Sequence, residues 1–287
     1  MEETTLQPPR AIARDPRQYL KAIIYGLLLI NFTFYLAEEM MIASHTLRAD
    51  SGFLEWTSAF TTSIDLVAWF ALLFLFELET YLLSDEAFTK ARVRLMHGVR
   101  LVCYLFLAHT LFSYSNTVLD LRQVEQVEGV DNLCHWADSG VSWGSNIYYE
   151  ELDRNNCQTL SNESTFFLIE DGEVVTDGTG FKIERQLTLI DLAEASTWLL
   201  ILLLIEIGVR LQDRGIASGP LLRTVLGIKF GLYMVLWSAA AYWLFRGHYL
   251  YAWDESLWIL GFVAIEMNMS DWRKEIRAEG QSEATAQ

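Results

Sequence analysis

Six runs of mostly apolar residues, separated by polar and charged segments, dominate the chain. They lie at 22–43, 61–83, 96–118, 189–209, 224–245 and 254–271. About 20 residues in an α-helix, rising 1.5 Å each, cover the ~30 Å hydrocarbon core of a bilayer. The pattern therefore predicts an all-α integral membrane protein with six transmembrane helices.

The predicted spans divide the chain into five parts. These are a cytoplasmic N-terminal segment at 1–21, helices one to three at 22–118, an acidic extracytoplasmic loop domain at 119–188, helices four to six at 189–271, and a cytoplasmic tail at 272–287. Most lysines and arginines flank the spans on one side, as Arg94 and Arg210 do. Because basic residues are retained in the cytoplasm, both termini are predicted to be cytoplasmic, in a plasma membrane or a bacterial inner membrane.

The charge balance excludes one class of partner. The chain has 21 Lys and Arg against 37 Asp and Glu, a net charge of −16. Proteins that bind nucleic acid present basic surfaces to the phosphates, so no nucleic-acid partner is expected. The loop domain carries most of this negative charge.

The loop domain has two further features. Residues 165–169 and 173–175 are predicted to pair as a hairpin around the Asp171-Gly172 turn. Cys134 and Cys157 lie in the same loop. An oxidising compartment favours a disulfide between them, with two free thiols as the alternative.

A threefold internal repeat runs through the predicted spans. The even spans share an acid, then Trp four residues later, then Glu after eight more: Asp65, Trp69, Glu77; Glu194, Trp198, Glu206; Asp254, Trp258, Glu266. The odd spans share a cation, Tyr and a second aromatic residue: Lys21, Tyr25, Tyr35; Arg100, Tyr104, Tyr114; Lys229, Tyr233, Trp243. The repeat predicts three two-helix hairpins, with the loop domain inserted in the second.

The inner glutamates and the cations are predicted to meet at one depth. The expected pairs are Lys21 with Glu77, Arg100 with Glu206, and Lys229 with Glu266. An ionised carboxylate in hydrocarbon costs several kcal/mol unless it is paired, protonated or hydrated. Two interpretations stay open: the pairs lock each hairpin as charge clamps, or the glutamates belong to an ion or proton route.

A second acidic level is expected roughly 18 Å along the helices, at the outer membrane face. It comprises Asp65, Glu194, Asp254, Glu38 and Glu39. Together with Asp120, Asp191, Glu55 and Glu255, these residues predict an acidic outer mouth that concentrates cations. The alternatives are that Asp65, Glu194 and Asp254 only complement helix dipoles, and that the neighbouring tryptophans form an interfacial belt.

Several kinds of chemistry lack a sequence signal. The chain has no metalloprotease, nucleophile-elbow, phosphate-loop or Cys-x-x-Cys motif. No enzymatic activity and no cofactor are expected, and no metal site is identified. His109 is the one histidine well inside a span, and its sequence position alone does not support a haem site.

Two functions from different classes follow. The first is a channel or transporter for small cations or protons that uses intramembrane carboxylates, with the lipid bilayer and the ion as partners. The second is a non-transporting receptor, sensor or assembly factor that binds a protein partner through the loop domain.

Overall fold

A computed structural model describes residues 16–78, 89–214, 216 and 218–285. The elements, in chain order, are α1 (Pro16–Thr46), α2 (Phe53–Ala59), α3 (Thr61–Glu77), α4 (Lys90–Gln123), β1 (Ser142–Ser145), β2 (Tyr148–Glu151), β3 (Phe166–Ile169), β4 (Val174–Asp177), α5 (Gly178–Asp213), α6 (Pro220–Arg246) and α7 (Tyr249–Thr285). Short 3₁₀ turns cover Leu133–Trp136 and Glu170–Gly172.

Four of the described helices are long and apolar enough to cross a bilayer, namely α1, α4, α5 and α6. The pair α2 and α3, bent by 71° at Phe60, adds a fifth candidate if it counts as one span. Apolar helices of this length pair their backbone N–H and C=O groups internally, as a bilayer requires. The four helices are therefore compatible with a membrane protein. The sixth span at 254–271 lies within α7, and six spans in a threefold repeat stay a prediction.

The loop domain contains a four-stranded sheet, which the all-α prediction did not include. The strand order is β2-β1-β4-β3, with β1 and β4 parallel and the other neighbours antiparallel. The predicted hairpin is confirmed as β3 and β4, joined by the turn at Glu170–Gly172. The β1–β2 hairpin was not predicted, because its turn residues Asn146 and Ile147 lack the Asn-Gly or Asp-Gly signal.

The sheet lies between two apolar clusters. On one face, Trp143, Phe166 and Val175 join the core of the loop, with Leu133 and Leu152. On the other face, the buried cluster is Leu121, Ile169, Val174 and Phe181, which ties the sheet to the end of α4 and the start of α5. Adjacent residues of a strand point to opposite faces, so Val174 and Val175 serve the two clusters.

The predicted disulfide between Cys134 and Cys157 is present. Cys157 is buried in the loop core, and Cys134 packs against it. The crosslink joins the 3₁₀ turn at Leu133–Trp136 to the segment after β2, so it fastens a part of the loop that has little regular structure.

The chain divides into two compact units, Met1–Asn31 with Ile201–Gln287, and Phe32–Leu200. In the first unit, α6 packs along α7, and Gly261 of α7 faces Ile24 of α1. In the second unit, α3 packs along α4, and the sheet rests on the ends of α4 and α5. Each unit is described separately below.

Candidate functional site: an acidic cavity

A cavity of about 660 Å³ lies in the second unit, where helix ends meet the loop domain. Its walls come from the ends of α1 and α4, from α2, from the starts of α3 and α5, and from the turn between β3 and β4. This volume is within the range of sites that bind small molecules or ions.

Oxygen atoms dominate the lining of the cavity. Nine carboxylates contribute: Glu39, Asp50, Glu55, Asp120, Glu170, Asp171, Glu173, Glu184 and Asp191. Nine residues contribute hydroxyls: Thr46, Ser51, Ser58, Thr61, Thr62, Ser113, Tyr114, Thr117 and Thr188. Among the described lining residues, Arg48 is the one with a cationic side chain. The cavity therefore has a strongly negative field, and we refer to it as the acidic cavity.

Glu39 forms part of the cavity floor and holds the start of α3. Its carboxylate accepts hydrogen bonds from the backbone N–H groups of Thr62, at 2.7 Å, and of Ser63, at 3.1 Å. First-turn N–H groups have no partner inside their own helix, and a carboxylate there also complements the helix dipole. Of the adjacent pair Glu38 and Glu39, the second is the buried one that faces the cavity.

Hydrogen bonds between side chains that line the cavity join α3 to α4. The Thr61 hydroxyl donates to Ser113 at 2.9 Å, and Thr62 lies 3.4 Å from the Tyr114 hydroxyl. Asp65, one turn further along α3, is in hydrogen-bond contact with Thr110 of α4 and with Trp69. Asp65 thus lies just below the floor and close to Glu39.

One face of α5 supplies a wall of the cavity. Glu184, Thr188 and Asp191 follow one another at intervals of four and three residues, which places them on the same side of a helix. Opposite them, α4 contributes Ser113 and Asp120. On α5, the residues from Trp198 to Ile205 are all apolar.

The turn between β3 and β4 covers the cavity, and α1 holds it there. Arg48, just after α1, forms an ion pair with Glu173 at 2.5 Å. His45 forms a hydrogen bond with Ser142 of β1 at 2.9 Å, and its ring stacks on Tyr149 of β2. The loop domain is therefore fastened to the end of α1 by one ion pair and one histidine.

The covering turn has an unusual backbone and a perturbed carboxyl group. Glu170 and Asp171 have φ values of 49° and 52°, the left-handed region that costs L-residues 1–2 kcal/mol each. Burial, and then the nearby carboxylates of Asp171 and Asp120, raise the pKa of Glu170. Strained backbone persists where the surrounding structure compels it, and it occurs often at functional sites.

The first unit contains one of the predicted cation–glutamate pairs. Lys229 of α6 donates to the Glu266 carboxylate of α7, and their side chains are only 4% and 16% exposed. Lys21 is also buried. The side chain of Glu77 lies outside the described residues, so the Lys21–Glu77 pair stays a prediction, as does the Arg100–Glu206 pair.

Two of the outer acids make equivalent contacts. Asp254 accepts a hydrogen bond from Asn31 at 2.7 Å, and Asp65 contacts Thr110. Asn31 and Thr110 each lie ten residues after the cation of an odd span, Lys21 or Arg100. A repeated helical hairpin would produce this equivalence. Asp254 and Asp65 lie in different units of the chain. The third outer acid, Glu194, is not among the described residues that line the cavity.

Sequence reasoning found the acidic mouth only in part. Of the acids expected at the outer mouth, Glu39, Glu55, Asp120 and Asp191 are lining residues of the cavity, and Glu38 is not among the described lining residues. The main omissions are Glu184 and the acids of the covering turn, Glu170, Asp171 and Glu173. The spacing of Glu184, Thr188 and Asp191 is a helical signal, but the predicted start of the fourth span at 189 left it in the loop.

No group of three or more His, Cys, Asp or Glu side chains is arranged to hold a metal ion among the described residues. Comparison with known proteins gives no significant match: no family, no curated protein and no solved structure is similar to this chain. The acidic cavity and the helices that surround it are the features of the molecule that bear on its function.

Proposed function

We propose that this membrane protein conducts or transports small cations or protons and that the acidic cavity is where they enter. The observation that carries this proposal is the lining of the cavity, to which the described residues contribute nine carboxyl groups and a single arginine at the ends of apolar helices. Rings of carboxylates are a common means of attracting cations and excluding anions at a channel entrance.

The electrostatic effect of such a lining is large enough to matter. In a cavity of this size a cation lies within about 7 Å of several walls, where each carboxylate attracts it by about 0.6 kcal/mol in water and about 2.4 kcal/mol at an effective dielectric constant of 20. Even the lower value raises the local cation concentration severalfold when a few carboxylates act together. Hydroxyls from Thr62, Tyr114 and Thr188 provide further oxygen ligands for a partly dehydrated ion.

The proposal also includes Asp65, just below the cavity, and the inner glutamates. Glu77, Glu206 and Glu266 form the inner acidic level of this proposal, in a bundle of three repeated hairpins with six spans. The equivalent contacts of Asp65 and Asp254 support the repeat. With both termini in the cytoplasm, the cavity opens on the outer side and collects ions from there.

Flux through purified protein in liposomes tests this proposal. Cation and proton uptake is compared between the unchanged protein and a variant with Glu55→Gln and Asp120→Asn, two lining residues of the cavity. Removing two cavity charges is expected to lower uptake at low salt by about threefold to tenfold, and the difference should shrink at high ionic strength. A second variant, with Glu77→Gln, Glu206→Gln and Glu266→Gln, tests the inner level.

The matched control carries Glu128→Gln and Asp131→Asn, which remove the same charges from exposed loop positions outside the cavity. Its uptake should equal that of the unchanged protein. An equal loss of uptake in the cavity variant and in this control would mean that only the net charge of the protein matters. A lack of flux under any gradient or voltage would exclude the proposal.

The second candidate function is binding of a protein partner through the loop domain. It is favoured by the fold of that domain, which has its own sheet, apolar core and disulfide, more structure than a connection between helices requires. A photo-crosslinking residue in place of exposed Tyr148, on the loop, should then give a specific protein adduct in native membranes. The same substitution at Phe245, which is 90% exposed at the end of α6, is the control for non-specific adducts.

A further inference from the structure

Below the acidic cavity, two tryptophan rings meet. Trp69 of α3 and Trp198 of α5 lie edge to face, with ring centroids 6.0 Å apart and an angle of 63° between the planes. Trp69 is only 6% exposed, so this ring is enclosed by protein and does not belong to an interfacial belt. We call these residues the tryptophan pair.

The two polar walls of the cavity lead to this pair. On α3, Thr62 lines the cavity, Asp65 lies just below it, and Trp69 is one turn further. On α5, Asp191 lines the cavity, and Trp198 follows seven residues later on the same face, roughly 10 Å along the helix. The rings therefore meet where both helices change from polar to apolar surfaces.

Asp65 holds one of the rings in place. The carboxyl group of Asp65 is in hydrogen-bond contact with Trp69, four residues later on the same helix. An indole N–H is a donor only, so Trp69 turns its polar edge towards the cavity and its apolar body away from it. Beyond the pair, Phe70 to Phe76 of α3 include no charged residue, and Glu77 is the last residue of the helix.

We propose that the tryptophan pair is the seal that closes the acidic cavity on its membrane side. This inference rests on the proposed function, since it makes the pair the barrier that a cation must pass after Asp65. Two large rings in edge contact form an apolar constriction, and such a constriction stops ions because it cannot replace their hydration shell. Opening the route then requires the two rings to separate.

Cysteine accessibility tests the seal without relying on flux. In a Cys103→Ser background that retains the disulfide, one reporter is Thr62→Cys in the cavity, and the other is Leu73→Cys, a buried position one turn beyond Trp69. A membrane-impermeant cationic methanethiosulfonate is applied to proteoliposomes. With the tryptophan pair intact, Leu73→Cys should react about tenfold or more slowly than Thr62→Cys.

Removing one ring should open the path. Trp198→Ala is expected to raise the reaction rate of Leu73→Cys by about tenfold and to leave that of Thr62→Cys unchanged. Trp198→Phe, which keeps an aromatic ring, should restore most of the protection. Trp253→Ala removes a half-exposed tryptophan outside the pair and should have no effect, which controls for general loosening of the protein.

The outcomes separate the two proposals. If Leu73→Cys reacts as fast as Thr62→Cys while both rings are present, or stays protected when both are replaced by alanine, the pair is not the seal. If the reporters behave as expected but no variant conducts cations, the seal is supported and the transport function is wrong. Faster cation flux in Trp198→Ala would support both.

Discussion

The ion pair of Lys229 and Glu266 gives a sharp test of whether the inner charges serve as clamps. The perturbation is a double-mutant cycle with Lys229→Met, Glu266→Leu and the combination, each replacing a charged side chain by an apolar one of similar size. Both side chains are largely enclosed, Lys229 more than Glu266. Each single change leaves one buried charge without its partner.

The magnitude follows from the cost of a buried charge. Breaking a buried pair by removing one partner costs about 3–5 kcal/mol, whereas replacing both partners by apolar groups is neutral or stabilising by about 1–4 kcal/mol. Glu266→Leu should cost more than Lys229→Met, because it leaves the less exposed of the two groups charged and alone. The free energy of unfolding of the double variant should be at least as large as that of the unchanged protein.

Reversible unfolding in mixed detergent micelles, followed through the fluorescence of the ten tryptophans, measures the free energies. Lys182→Met, at an exposed position near the start of α5, is the matched control and should change stability by less than about 0.5 kcal/mol. A double variant as unstable as the worse single variant would refute the reasoning. Normal cation flux in a stable double variant would assign this pair to the clamp interpretation.

Three further predictions concern the loop domain. Ile147 has a φ of 68°, which a β-branched residue adopts at a cost, so Ile147→Gly should stabilise the protein by about 1 kcal/mol in thermal unfolding. Gly140 has a φ of 85°, so Gly140→Ala should destabilise the protein. Asp177 accepts hydrogen bonds from the Gly180 N–H at 2.7 Å and from the Ser161 hydroxyl at 2.5 Å. Asp177→Ala should therefore lower the free energy of unfolding by about 1–2 kcal/mol and speed amide exchange at the start of α5. Asp177→Asn keeps an acceptor and should lower it less. The pKa of Glu170 is raised in the folded state. Between the ordinary glutamate pKa and the raised one, the folded protein keeps the Glu170 proton and the unfolded chain has lost it. The free energy of unfolding therefore falls as the pH rises through this range. Glu170→Gln should therefore raise the melting temperature at about pH 8 and have little effect at about pH 4; an equal effect at both values would contradict the assignment.

The apolar runs were enough to predict the four helices, α1, α4, α5 and α6, that are long and apolar enough to cross a bilayer. A helix that crosses a bilayer pairs its backbone hydrogen-bonding groups internally and needs a continuous apolar surface towards the lipid. A long apolar run in the sequence shows that requirement directly, as the run at 224–245 does for α6. The same holds for the β3–β4 hairpin, where alternation and an Asp-Gly turn are local signals. The disulfide was predictable because the loop domain offers only Cys134 and Cys157.

Other features depend on residues that are distant in the sequence. The β1–β2 hairpin has a turn at Asn146 and Ile147 whose conformation is imposed by the packing of the sheet and not by the preference of isoleucine. Glu184 becomes a cavity residue because α5 begins at Gly178, where Asp177 provides its N-terminal hydrogen bond. Local hydropathy could not show that start, since the first turns of α5 are polar.

The sequence by itself determined which residues carry charge and which segments are apolar enough to enter a membrane, because both are properties of single residues and their neighbours. Only the tertiary structure decided that carboxylates from α1, α2, α4, α5 and the β3–β4 turn surround one cavity, and that Trp69 meets Trp198 beneath it. Those arrangements depend on packing between residues more than a hundred positions apart. Close packing is specific to the shapes of both partners, and the pattern of either segment alone does not contain it.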